Sequence, residues 1–149
     1  MAQPITANAS KMQIKIGDGA TPTEVFDYPC GMTTKALNFT KNTNETNVPD
    51  CDDPDAPSWI QRGVLSLSAD ISENGILSMA DLTVWQDFFE STTSRNVQVW
   101  IDVPASEHGG HWDGKFHLTG FNITAEQGNK VNAAVTMVSD GEIIWTPVV

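Results

Sequence analysis

Four aspartates crowd into one short stretch of this chain, Asp50, Asp52, Asp53 and Asp55, and a hard divalent cation wants several carboxylate oxygens in one place. The spacing argues against that use. A calcium loop counted from Asp50 would put Pro54 at its fifth position, Ala56 at its seventh and Gln61 where the closing glutamate belongs. A solvated acidic loop is the simpler reading. A second set is His108-Gly109-Gly110-His111-Trp112-Asp113, in which two imidazoles and a carboxylate could converge on a metal if the glycines fold tightly. It is one ligand short unless His117 turns back, and it reads equally well as a Gly-rich connection leading from Pro104 into a strand. Nucleophilic catalysis finds no support: no Gly-x-Ser-x-Gly elbow occurs, and neither cysteine has a nearby histidine. Spacing singles out no pair of carboxylates for glycoside hydrolysis, and no glycine motif cradles a phosphate. No catalytic, metal-binding or cofactor-binding residue is assigned, and no cofactor is expected.

The elements that would carry these groups are mostly strands. Leu65, Leu67, Ala69 and Ile71 alternate with Ser66, Ser68, Asp70 and Ser72, which predicts a strand with one buried face, and Asn74-Gly75 then reads as a hairpin turn. Val97, Val99, Ile101 and Val103 oppose Gln98, Trp100 and Asp102, while Val131, Ala133, Val135 and Met137 oppose Asn132 and Thr136. Phe116 and Leu118 share one parity and Phe121 and Ile123 the other, so a bulge at Gly120 restores a common face. With a turn at Glu126–Asn129, Lys115 to Ser139 becomes one long hairpin. Shorter strands are expected at Met12–Ile16, Thr34–Phe39 and Ile143–Trp145.

One segment breaks the alternation. Leu82, Trp85 and Phe89 recur at helical spacing beside Val84 and Phe88, predicting a helix of about three turns whose Leu82, Trp85, Phe88 and Phe89 dock on a sheet. Ser78 and Asp81 resemble a capping box. Lys41 to Ser58 is rich in Asn, Thr, Asp and Pro, cannot pack by itself, and is expected to be a long polar loop that a neighbouring subunit orders.

Charge narrows the partners. The 149 residues carry 8 Lys plus Arg against 19 Asp plus Glu, a net charge of −11, so the whole-molecule field repels phosphate backbones. Length predicts one domain, 1–149, with an N-terminal arm over 1–11. Met1 to Gly17 does not read as a leader, and no run approaches the ~20 apolar residues of a membrane span, so a soluble cytosolic product without membrane insertion is expected. Cys30 and Cys51 are expected to be free thiols. Five tryptophans, at 59, 85, 100, 112 and 145, are many for this length; Trp100 falls on the polar face of its strand, which marks a contact with another element or subunit.

The order of these elements resembles the tail tube (major tail) proteins of long, non-contractile-tailed bacteriophages and gene transfer agents. The likeness rests on the acidic β-domain, the polar loop before Gly63–Ser72, the aromatic helix Ala80–Phe89, the strand Val97–Asp102, the hairpin arm Gly114–Thr124 and the short apolar strand Ile143–Trp145. It implies a mainly β fold, an antiparallel β-sandwich or partial barrel with one short flanking α-helix and a long polar loop. It also implies homo-hexameric rings stacked into a hollow tube in a virion tail, assembled in the host bacterial cytoplasm. Partners would be the tape-measure protein, the tail terminator and distal tail or baseplate proteins, with DNA passing through unbound and no enzymatic activity. If strands join edge to edge around the tube, Ser66, Ser68, Asp70, Ser72, Gln98, Asp102, Asn132 and Thr136 are the candidates to face its lumen. Thr43, Asn44, Glu45, Asp50, Asp52, Asp53 and Asp55 are the candidates for the inter-subunit loop, with the N-terminal arm beside them. The competing reading is a carbohydrate-binding or adhesin-like β-sandwich module of a virion or cell surface, using Trp59, Trp100 or Trp112 to stack on sugars.

Overall fold

The computed structural model describes residues 2–20 and 23–149. Its strands are β1 (Met12–Gly17), β2 (Phe26–Asp27), β3 (Met32–Asn47), β4 (Ile60–Ile76), β5 (Arg95–Ile101), β6 (Gly110–Thr124), β7 (Asn132–Ser139) and β8 (Ile144–Pro147), with one helix, α1 (Leu82–Glu90). All pairings are antiparallel, in the order β2-β1-β5-β6-β7-β4-β3, and β8 continues along β6 where β7 leaves off. Of the two expected architectures this is the partial barrel. A single sheet rolls until its far sides meet, so that Lys35 on β3 donates from Nζ to the Met12 carbonyl of β1 at 2.8 Å, but the ladder does not close.

The period-two pattern explains the roll. Ile14 and Ile16 of β1, Val97 and Val99 of β5, Phe116 and Leu118 of β6, Val135 and Met137 of β7, and Ala69 and Ile71 of β4 all turn to the inner face and are buried. Gly120 does mark a bulge, because the β6–β7 register slips between Leu118 and Gly120; Phe121 beyond it turns back to the core that holds Phe116 and Leu118, while Ile123 stays 47% exposed. The turn before β7 also forms: Asn129 N–H donates to the Glu126 carbonyl, with Gly128 at φ +91°.

Helix α1 docks its Trp85 and Phe88 into the core, with Leu82 partly buried beside them; the Trp85 ring lies 6.4 Å from that of Phe121. Phe89 corrects the expected stripe. It falls about 100° further round the helix than Phe88 and is 48% exposed. The expected capping box is not made either: Ser78 caps nothing, and the Asp81 carboxylate instead accepts from the Cys30 N–H at 3.2 Å.

The largest departures lie in the β3–β4 hairpin. Asn74-Gly75 is no turn but part of β4, opposite Thr34 and Met32 of β3 and Ala134 and Ala133 of β7. Gly75 is needed because a Cβ there would run into the backbone of Gly31, Met32 and Thr33, where β3 crosses close beneath it. Lys41 to Asn47 is not loop but the outer half of β3, in register with Ile60 to Leu67. The true connection is Val48–Trp59, and Pro49, Pro54 and Pro57 supply its punctuation.

Candidate functional site

The outer half of that hairpin leaves the body as an arm. From Asn38 to Ser68 every residue except Ala56 is exposed, and ten residues of β3 beside nine of β4 carry the tip about 30 Å from the core. Cross-strand polar bonds stiffen it: Arg62 donates to Glu45 at 3.0 Å, Gly63 N–H to the Asn44 side chain at 3.0 Å, and Asn42 to the Ser66 hydroxyl at 2.9 Å. Thr43, Asn44 and Glu45 are therefore rungs of the arm, while Asp50, Asp52, Asp53 and Asp55 form its tip. There the Asp50 carboxylate accepts from Asp52 N–H at 2.8 Å, a local turn that accounts for one acid without a metal. Among the described residues no group of three His, Cys, Asp or Glu is placed to hold a metal ion.

The arm also carries apolar side chains that the subunit leaves largely uncovered. Phe39, Val64, Leu65 and Leu67 are all more than half exposed, although Leu65 and Leu67 continue the alternation that buries Ala69 and Ile71. The expected buried face of this strand thus ends at Ala69. There the Ala69 N–H is taken by the Ser139 hydroxyl at 2.9 Å, and beyond it β7 no longer pairs with β4. The sheet forks at this point. One prong is the arm, the other is the connection from β7 into β8, and Phe39, Val64, Leu65, Leu67 and Ile143 line the cleft between them. The edge of β4 from Ile60 to Ser68 and the outer edge of β3 both present unpaired backbone.

The sheet's outer face is polar. Ser66, Ser68, Asp70 and Ser72 stand opposite Asn42, Thr40, Asn38 and Ala36 of β3, and Ser72 continues onto Thr136 of β7, with Asn132 further along the same face. Six of the eight candidates therefore share one surface made by β3, β4, β7 and the second half of β6. Gln98 and Asp102 do not join them. Gln98 pairs with Asp113, seven residues along β6 from the Gly120 that faces Thr136, or about 23 Å away. Asp102 lies just past the end of β5, its N–H donating to the Lys11 carbonyl. The β3 members, Asn38, Thr40 and Asn42, escaped the sequence reading. The signal that could have found them is the lack of any Gly or Pro between Gly31 and Pro49.

The histidines do not gather. His111 pairs with Asp113 at 2.8 Å and His117 with Asp140 at 3.4 Å, six residues apart on one strand, while His108 ends a short turn at φ 64°. The tryptophans are mostly occupied. Trp100 stacks on His111 at 4.2 Å with the Lys15 ammonium over its ring, and Trp112 packs on Trp145 and Phe39, leaving Trp59 at the arm tip as the one open platform. Cys30 and Cys51 are free and exposed. No helix among the described residues is long and apolar enough to cross a membrane.

A rolled β-sheet with a long exposed arm and open strand edges presents an incomplete surface, of the kind that joining subunits complete. Residues 6–144 match the phage tail tube protein family, and the chain belongs to that family. Its fold is similar to that of the tail of an empty gene transfer agent particle solved with C6 symmetry (TM-score 0.72, 20% identity, 95% of this chain and 99% of that one). It is also similar to the SPP1 tail tube (TM-score 0.66, 9% identity, 97% and 81%). The baseplate of the anti-feeding prophage contains a similar chain (TM-score 0.67, 9% identity, 99% and 99%). No curated protein sequence matches. The chain is thus a tail tube protein with a structural role, and the carbohydrate-binding reading is not favoured.

Proposed function

We propose that six copies of this chain form a ring and that rings stack into a hollow virion tail tube, with no enzymatic activity. The observation that carries this is the β3–β4 arm, which projects apolar side chains and unpaired strand edges that an isolated subunit leaves in water. In the ring, β3, β4, β7 and the second half of β6 from each subunit join edge to edge. Their outer face, with Ser66, Ser68, Asp70, Ser72, Asn132 and Thr136, then lines the lumen. A net charge of −11 and a wall of hydroxyls and carboxylates keep the DNA backbone from adhering during passage. The arm tip, with Asp50, Asp52, Asp53 and Asp55, and the exposed N-terminal segment Ala2–Ser10 reach the adjoining ring. The tape-measure protein fills the lumen before DNA, and the tail terminator and distal tail or baseplate proteins meet the two ends. Assembly takes place in the host bacterial cytoplasm.

Negative-stain electron microscopy of the purified chain at rising concentration tests this. Six-fold rings or hollow tubes are expected, while particles that stay monomeric even when mixed with a preformed tail tip would overturn it.

A further inference from the structure

Among the described residues Glu73 is the one buried charged side chain, 2% exposed, and both of its carboxylate oxygens lack a hydrogen-bond partner. It sits on β4 directly opposite Lys35 of β3 and Val135 of β7, facing the core. A lysine in that register would ordinarily pair with it. Lys35 instead reaches away, donating to the Met12 carbonyl at 2.8 Å and to the Tyr28 hydroxyl at 2.7 Å. Lys11 accepts from Asp102 across the β1–β5 ladder, so the Met12 carbonyl, one residue on, points to the opposite edge of β1, where the roll stays open. Those two bonds are the hydrogen bonds that tie β3 to the β1–β2 edge among the described residues.

We infer that Lys35 is a two-position latch on this seam. With Glu73 neutral the ammonium holds β3 against Met12 and Tyr28; with Glu73 ionised it turns onto the carboxylate and lets the seam, and the N-terminal arm that runs directly into β1, come free. A lone carboxylate in an apolar core is costly to charge, which favours the closed position. Burial pushes the Glu73 carboxyl up to about 8, with Lys35 pulling the other way. The other charged group on the inner faces is Arg95, whose guanidinium lies over the Phe88 ring at 5.5 Å; β1, β6, β7 and α1 turn no further charge inward.

Tyr28 is the only tyrosine in the chain, so one ring-carbon label reports on the seam. The full chain, kept dispersed at low concentration, is titrated from pH 6 to 9 by NMR, with amide hydrogen exchange of β1 measured in parallel. The label is expected to step near pH 8, with β1 amides exchanging at least tenfold faster above the step after correction for the intrinsic pH dependence of exchange. Glu73→Gln should hold the closed signal throughout, and Lys35→Met the open one. A wild-type label that stays flat to pH 9, or an identical step in Glu73→Gln, would overturn the latch. Neither readout depends on whether Lys35→Met folds.

Discussion

Ile71 and Leu67 lie four residues apart on β4 and point to the same side of the sheet, yet Ile71 is fully buried and Leu67 is 70% exposed. The body of the β3–β4 hairpin and its arm share one alternating pattern and differ only in what lies above it. Over the body, β1, β5 and α1 close the core; over the arm of the isolated subunit there is solvent. Ile71→Ala should therefore cost about 2–5 kcal/mol of subunit stability, from lost burial and the cavity left behind. Leu67→Ala should stay within about 0.5 kcal/mol in the isolated subunit. Leu67→Asp should reverse the comparison, leaving the subunit folded and removing rings and tubes. Chemical denaturation and electron microscopy on the same preparations separate the two. A large stability loss from Leu67→Ala would show that the arm packs on its own body.

Glutamates sharpen the same contrast. Glu45 on the arm is paired with Arg62 in solvent, whereas Glu73 in the body is buried and unpaired. A carboxyl raised from its ordinary 4.5 to about 8 holds its proton in the folded state while the unfolded chain has lost it. Stability must then fall as pH rises through that window, roughly tenfold in the folding constant per pH unit, and level off above it. One unit of pH thus changes less than the loss of Ile71. The Asp18 carboxyl, held below its ordinary 3.8 by the Ala20 and Val25 amides, acts at lower pH and leaves the window clear. Denaturation midpoints between pH 5 and 8 should slope downward in the wild type, lose most of that slope in Glu73→Gln and keep it in Glu45→Gln. An unchanged slope in Glu73→Gln would mean that Glu73 is ionised in the folded subunit.

The strands of the body were legible in the sequence because one face meets apolar neighbours and the other meets water, so residue type tracks position. The bulge at Gly120 was legible for the same reason, as a change of parity. The β3 side of the arm was not. It is wet on both faces, Asn and Thr fill both, and alternation vanishes there without the strand ending. Asn74-Gly75 misled for a related cause: the glycine answers to the closeness of β3 beneath it, a tertiary demand that local turn chemistry imitates. Phe89 misled because helical spacing gives the width of a stripe but not which edge of it lies against the sheet. For the candidate lumen, parity put the candidates on the side of their strands away from the core, but only topology could divide Gln98 and Asp102 from the other six.

That division yields the smallest expected effect on the subunit and a direct test of the wall. Asp70→Lys and Asp102→Lys should each change subunit stability by less than about 0.5 kcal/mol, since neither carboxylate is buried or bonded to a cation. In particles they should part company. Asp70 lies among the six grouped residues, so if these line the lumen as proposed, a sixfold ring of lysines there would grip passing phosphates and slow DNA release. Asp102, off the end of β5, should leave release near normal. The slowing by Asp70→Lys should fade when release is triggered in 1 M salt, where screening acts over about 3 Å. A slowing that persists at that salt would point to obstruction instead of charge, and equal slowing by Asp102→Lys would bring β5 into the wall and enlarge the surface that lines the tube.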